Sequence, residues 1–126
     1  MPRENLVRLA EFEFERLGRQ FDFALAHSVF THLSFNRIRR CLERLAQVIH
    51  IDGHFFATFF ELPPTANISQ SYTHGPGNIV TYDTSDPYHY KLADFFYASS
   101  GLPWRLRYIG NWDHPRGQRM LEFIRI

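Results

Sequence analysis

The sequence predicts an α/β fold built on one strand–helix–strand unit at residues 21–60, and three observations carry that expectation. The segment Phe21–Ala26 (FDFALA) is a short apolar run with no period of two, the pattern of a strand buried on both faces. Next, Ile38, Cys41, Leu42, Leu45, Ala46 and Ile49 recur at helical spacing, with Arg37, Arg40, Glu43, Arg44 and Gln47 on the other side. Residues 54–60 (HFFATFF) then form a second apolar run of strand length. Two such strands joined by one amphipathic helix make a right-handed βαβ unit and a parallel pair.

Within that unit, residues 27–35 read as a polar loop at the first strand's carboxyl end. Ser34 or Asn36 is placed to cap the helix. Gly53 stands where a left-handed residue would close it. The first 20 residues are mixed: Leu6, Leu9, Ala10, Phe14 and Leu17 fit a helical face, whereas EFEFE alternates at the strand period. A helical or irregular start with a short extended piece is the expectation, with Gly18 in the turn before Phe21. Residues 61–87 form a long loop or insertion, rich in Pro, Ser, Thr, Asn and Gly, stopped at Pro63-Pro64 and turned at Gly75-Pro76-Gly77, with residues 78–82 as a short strand. Asp86-Pro87 reads as a cap and first turn of a helix running to Ser100, with Leu92, Phe95, Phe96 and Ser99 facing inward and Gly101 ending it. Residues 105–112 and 120–125 alternate around DHPRG and predict an antiparallel carboxyl-terminal pair.

The bulk numbers bound the rest. At 126 residues and 44% hydrophobic, with thirteen Phe and six Tyr, the chain has one domain's length and ample core material. A formal charge of +1 gives no field that would favour nucleic acid or an anionic membrane, and the arginines (37, 39, 40, 44, 105, 107, 116 and 119) read as solvated surface. Cys41, the single cysteine, lies on the apolar helical stripe and reads as a small buried hydrophobe. The N-terminus lacks an apolar signal region and no run reaches the ~18–20 apolar residues of a membrane span, so a cytoplasmic protein is expected.

FDFALAHSVFTHL, a helix ending in L-x-x-V-x-x-x-x-G, and HFFATFFE together resemble the carboxyl-terminal half of a class I S-adenosylmethionine-dependent methyltransferase. GLPWRLRYIGNW and GQRMLEFIRI extend the resemblance to the family's closing strand pair. It implies a single but incomplete domain over residues 1–126, a partial Rossmann-like sheet in spatial order first, second, fourth, third, and helices on its faces. It further implies a transferase that uses S-adenosylmethionine. The methionine part of that cofactor would lie at Ala26, His27 and Ser28, His32 would stand near the transferred methyl group, and Phe30, Tyr72, Tyr82, Tyr88 and His89 would contact an unidentified methyl acceptor.

The family's glycine-rich loop and the acidic residue that holds the ribose hydroxyls have no counterpart among the seven glycines and the acidic residues of this sequence. The isolated chain is therefore expected to bind S-adenosylmethionine weakly or not at all. The alternative from another class is a non-catalytic methyltransferase-like module that works by association. The strand that would neighbour Phe21–Ala26 on its outer side is also missing, so self-association through that exposed edge is expected. His74, Asp83, Asp86, His89 and His114 show no compact ligand spacing, and no metal is assigned.

Overall fold

The computed structural model describes residues 2–126. Its centre is β2 (Ile49–Glu61), at 13 residues the longest strand, with a partner on each side. β1 (Phe21–Ala26) runs parallel to it, and β7 (Arg119–Arg125) runs antiparallel on its other side. β6 (Trp104–Asn111) closes the far edge, giving the order β1-β2-β7-β6. The parallel pair, the antiparallel hairpin and the expected spatial order are all present. The fold is α/β, with α1 (Phe35–Leu45) linking β1 to β2 and α2 (Leu92–Ala98) preceding β6.

Side-chain parity on the sheet decides where the core lies. Phe55, Ala57 and Phe59 of β2 share a face with Leu121 and Phe123 of β7, and all five are buried. On that face sit Ile38, Cys41, Leu42 and Leu45 of α1 and Phe95 and Ala98 of α2. Phe30 lies between Phe55 and Phe95, while Phe95 meets Phe59 edge-on at 4.7 Å between ring centres. Trp104 fills the end of this layer and donates its indole N–H to the Leu42 carbonyl at 2.9 Å, so its one polar atom is satisfied inside the core. Cys41 is buried there, and removal from water pushes its thiol up to about 12.

Both helices pack on this one face. The other face carries Phe23, Leu25, His54, Phe56 and Glu122 and is covered by no helix among the described residues. β1 is consequently an edge strand with one covered face, and Phe23 and Leu25 are 68% and 65% exposed. This corrects the burial on both sides that the apolar run implies. Burial pushes the Glu122 carboxyl upward, but the Arg107 Nε–H at 2.6 Å and the His54 ring at 2.8 Å outweigh it and hold the group below the usual carboxylate range.

Three further expectations are corrected. α1 stops at Leu45, not at Gly53, because Phe21 already draws Val48 into strand pairing through an N–H to C=O bond of 2.7 Å. Gly53 instead lies inside β2, opposite a register shift between Phe21 and Phe23; the left-handed residue is Asp52, at φ 69. Residues 61–87 are not only a loop: the short strand expected over residues 78–82 is β4 (Ile79–Thr81), and it pairs with an unexpected β3 (Tyr72–His74) in a hairpin around the expected Gly75–Gly77 turn. Residues 86–91 are not helical: β5 (His89–Tyr90) pairs parallel with Phe60 and Glu61, and the helix begins only where Asp94 accepts the Lys91 N–H at 2.8 Å. As a result Phe96 faces solvent and Ala98 takes its place in the core. Residues 2–20 are irregular, with 3-10 turns at Arg3–Asn5 and Phe14–Leu17 and no strand.

A Cβ added at Gly53 would stand 2.6 Å from the Ile49 Cγ2, 2.8 Å from the His50 carbonyl oxygen and 3.0 Å from the Asp22 carbonyl oxygen. Two of those three atoms are backbone and cannot swing away. Gly53→Ala is therefore expected to cost about 1–3 kcal/mol by forcing β1 from β2. A lowered urea midpoint with selective loss of β1 amide protection checks it; an unchanged midpoint contradicts it.

Candidate functional site

The carboxyl end of β1 is where the sheet turns polar. Ala26 is buried, and Ser28 just beyond it takes a left-handed conformation at φ 58. That turn aims its backbone N–H at the Thr58 Oγ1, 2.8 Å away. The Thr58 hydroxyl in turn donates to the Gln118 Oε1 at 2.7 Å, and the Gln118 amide donates back to the Ser28 Oγ at 3.0 Å. This closed ring ties the ends of β1, β2 and the β6–β7 loop together. Both Thr58 and Gln118 are buried, so each bond is made out of water's reach.

His27 lies beside the ring. The His114 Nδ1 accepts the Arg116 backbone N–H at 3.0 Å, which places the His114 proton on Nε2, where it is donated to the His27 Nε2 at 3.1 Å. Burial, then the neighbouring His27 and Arg116, lower the His114 pKa. Trp112 packs edge-on against His27, and its buried indole N–H has no partner among the described residues.

His32 follows on a short 3-10 turn (Phe30–His32). Its Nδ1 meets both carboxylate oxygens of Asp86 at 2.7 and 2.9 Å, leaving Nε2 free among the described residues. The pair is open to solvent, His32 at 60% and Asp86 at 51% of the side chain, so it orients the ring and adds little stability. Ser28, Thr31, His32, Arg116 and Gln118 border one small cleft of about 120 Å3. Thr31 anchors that wall, its carbonyl accepting the Tyr88 N–H at 2.8 Å.

The remaining sequence-derived candidates divide. Tyr88 and Tyr82 lie side by side through an isolated parallel bridge, close to the His32 turn. Phe30 is wholly enclosed in the core and His89 is buried, so neither presents a side chain to a ligand in this structure. Tyr72 lies apart, ring against ring with His74 at 4.8 Å. There a second buried relay has formed. His89 donates from Nε2 to the Ile68 carbonyl at 2.8 Å, so its Nδ1 accepts the Thr81 hydroxyl at 3.0 Å; Thr81 Oγ1 then accepts from the His74 Nε2 at 2.8 Å. Desolvation, followed by the neighbouring His89 and Arg119, lowers the His74 pKa to about 4. Sequence reasoning misses Thr58 and Gln118 altogether; it reads Asp86 as a helix cap or metal ligand and His114 only as a metal ligand. Of these four, Asp86 alone adjoins residues that the sequence marks for acceptor contact, Tyr88 and His89.

No protein-family profile matches the sequence, and no curated protein does. Solved structures do match. The amino pentose methyltransferase CalS10 from Micromonospora echinaspora, with S-adenosylmethionine bound, superposes with a TM-score of 0.62 at 11% identity, over 86% of this chain and 60% of its own. A putative O-methyltransferase from Nostoc punctiforme gives 0.60 at 12% identity, over 85% and 32%. Magnesium protoporphyrin IX methyltransferase from Synechocystis, with S-adenosylmethionine bound, gives 0.55 at 18% identity, over 88% and 42%. The chain carries a partial methyltransferase fold. It spans between about a third and three-fifths of the length of these structures.

The His74 relay has a pH consequence. Because its folded pKa lies near 4 and its unfolded value near 6.5, the unfolded chain takes the proton first as pH falls. The stabilisation is fully present above about 6.5 and is lost on descending toward about 4, by roughly 3 kcal/mol in all. Urea unfolding across that window should show the loss in the native chain and a flatter profile in His74→Gln. Parallel profiles would contradict it.

Proposed function

We propose that this chain supplies the acceptor side of a methyl-transfer site that uses S-adenosylmethionine, with His32 as the general base. One observation carries the reading: in a methyltransferase fold, the His32–Asp86 pair stands just past the carboxyl end of β1, with Nε2 unengaged. The residues present suit only one end of the cofactor. The partnerless Trp112 indole N–H beside His27 suits an anionic oxygen such as the methionine carboxylate. The Ser28 N–H and hydroxyl are already committed within the chain, and no acidic residue stands at the position for the ribose hydroxyls.

When bound, S-adenosylmethionine supplies an electrophilic methyl group. The chain's own contribution is to the acceptor. Asp86 accepts the His32 Nδ1–H and fixes the tautomer, so that Nε2 is bare and takes the proton leaving an acceptor O–H or N–H. The wall of Thr31, Gln118 and Arg116 holds the acceptor against that nitrogen. Tyr82 and Tyr88 extend the wall beyond the turn.

Two measurements test this. Isothermal titration of the isolated chain with S-adenosylmethionine should give a dissociation constant in the millimolar range or weaker, since each missing polar contact is worth ~0.5–3 kcal/mol. A micromolar site would overturn the one-ended fit. In a cell extract supplied with methyl-labelled S-adenosylmethionine, His32→Gln should lower label transfer dependent on this chain by about 10²–10⁴-fold, with the folded spectrum unchanged. Equal transfer by both proteins would remove His32 from the mechanism.

The exposed Phe23 and Leu25 on an edge strand without lysine or proline support a further proposal, that the chain alone self-associates through β1. Sedimentation at micromolar concentration should show oligomers that Leu25→Lys disperses. A monomer indifferent to that change would contradict it.

A further inference from the structure

A cleft of about 330 Å3 lies between the β3–β4 hairpin and the adjoining ends of β2 and β7, away from the His32 turn. That volume falls within the ~300–1,000 Å3 of small-molecule sites. Three chemically distinct groups share its wall: Glu61, His74 and Arg119. Two of them, Glu61 and His74, are each held in place by a defined set of hydrogen bonds.

The first arm positions Glu61. Gly110, at φ 84, leaves room for the Tyr108 ring to lie across its own strand, where an added Cβ would come within 2.8 Å of the ring. The ring so placed carries its hydroxyl to one Glu61 oxygen at 2.5 Å, leaving the second oxygen without an intrachain partner among the described residues. The second arm is the relay Ile68–His89–Thr81–His74. Each of its bonds has a fixed direction, and the last fixes the His74 proton on Nε2. The His74 Nδ1 is left as a bare acceptor. His74 borders the cleft, and a neutral ring acceptor there can take an N–H or O–H donor.

Arg119 completes the wall. Among the described residues its guanidinium forms no ion pair and no side-chain hydrogen bond, although Glu61 borders the same cleft. The two opposite charges therefore face one space without closing on each other. Tyr72 and Pro63 supply apolar surface beside them.

From this arrangement we propose that the cleft binds a small zwitterion, a free α-amino acid, with its carboxylate on Arg119 and its ammonium between the free Glu61 oxygen and the His74 Nδ1. A single anion would meet the Glu61 carboxylate uncompensated, and a single cation would meet Arg119 in the same way. A molecule carrying both charges satisfies both walls, and the Nδ1 lone pair takes an ammonium proton that a carboxylate could not offer. The site is separate from the His32 wall and does not depend on the methyl-transfer reading.

The experiment is a titration of the full chain, followed by the His74 ring nitrogens in NMR, with L-alanine, L-leucine and L-phenylalanine as probes. Phenethylamine and 3-phenylpropionate serve as controls that each lack one charge. At least one amino acid should saturate at millimolar concentration or below and shift the His74 Nδ1, with the single-charge controls at least about tenfold weaker. Arg119→Gln should weaken the amino acid and 3-phenylpropionate but not phenethylamine; Glu61→Gln should weaken the amino acid and phenethylamine but not 3-phenylpropionate. Circular dichroism of both variants guards against loss of the fold, and Tyr108→Phe, which frees Glu61 without removing its charge, should weaken the amino acid by a smaller factor. No saturable shift with any of the three amino acids, or controls that bind as tightly as they do, overturns the proposal.

Discussion

The structure depends on β2 being paired on both sides. Six of its residues face β7 in antiparallel register and part of the same stretch faces β1 in parallel register, so the segment from His54 to Ala57 has its backbone groups met from two directions. With those groups satisfied, Phe55 and Ala57 can be buried beside Phe59 without stranding polar atoms, and α1 and α2 have an apolar floor to pack on. The same pairing positions Thr58, whose hydroxyl on the opposite face closes the ring with Ser28 and Gln118. Core and site are thus two faces of one strand.

That economy leaves an imbalance. Among the described residues, one face of the sheet has its helices and the other does not, and β1 has a partner on only one side. The uncovered face is not simply apolar: Glu122 is locked between Arg107 and His54 in its middle. A buried carboxylate with two donors is kept charged and oriented, and its presence limits what can pack there to something that leaves the triad intact.

Much of this was legible in the sequence, and the reasons for the remainder are local. Phe21–Ala26, the helical stripe and the alternating carboxyl-terminal runs are each long enough for a hydrophobic period to show, and each forms the expected element. β4 falls within the short strand expected over residues 78–82, whereas β3 and β5, three and two residues long, are too short for any period; Thr81, His74 and His89 bond one another across these segments. Asp86 shows the same limit at the site. Next to a proline it has the signature of a helix cap, and its actual partner, His32, lies 54 residues away. His32 itself stands out through its place after β1. Its orienting carboxylate does not, because sequence order carries no record of that distance. The exposure of Phe23 and Leu25 is masked for a related reason, since an apolar run looks alike whether its outer face is covered or open.

The central claim is that β2 is the doubly paired spine and β1 an open edge. Residue-resolved amide hydrogen exchange on a monomeric sample tests it most directly. The account predicts that amides of β2 and β7 exchange slowest and as one unit, while those amides of β1 that point away from β2 exchange at rates close to an unfolded chain. Uniform protection along β1, equal to that of β2, would mean that the edge is covered and would contradict the account.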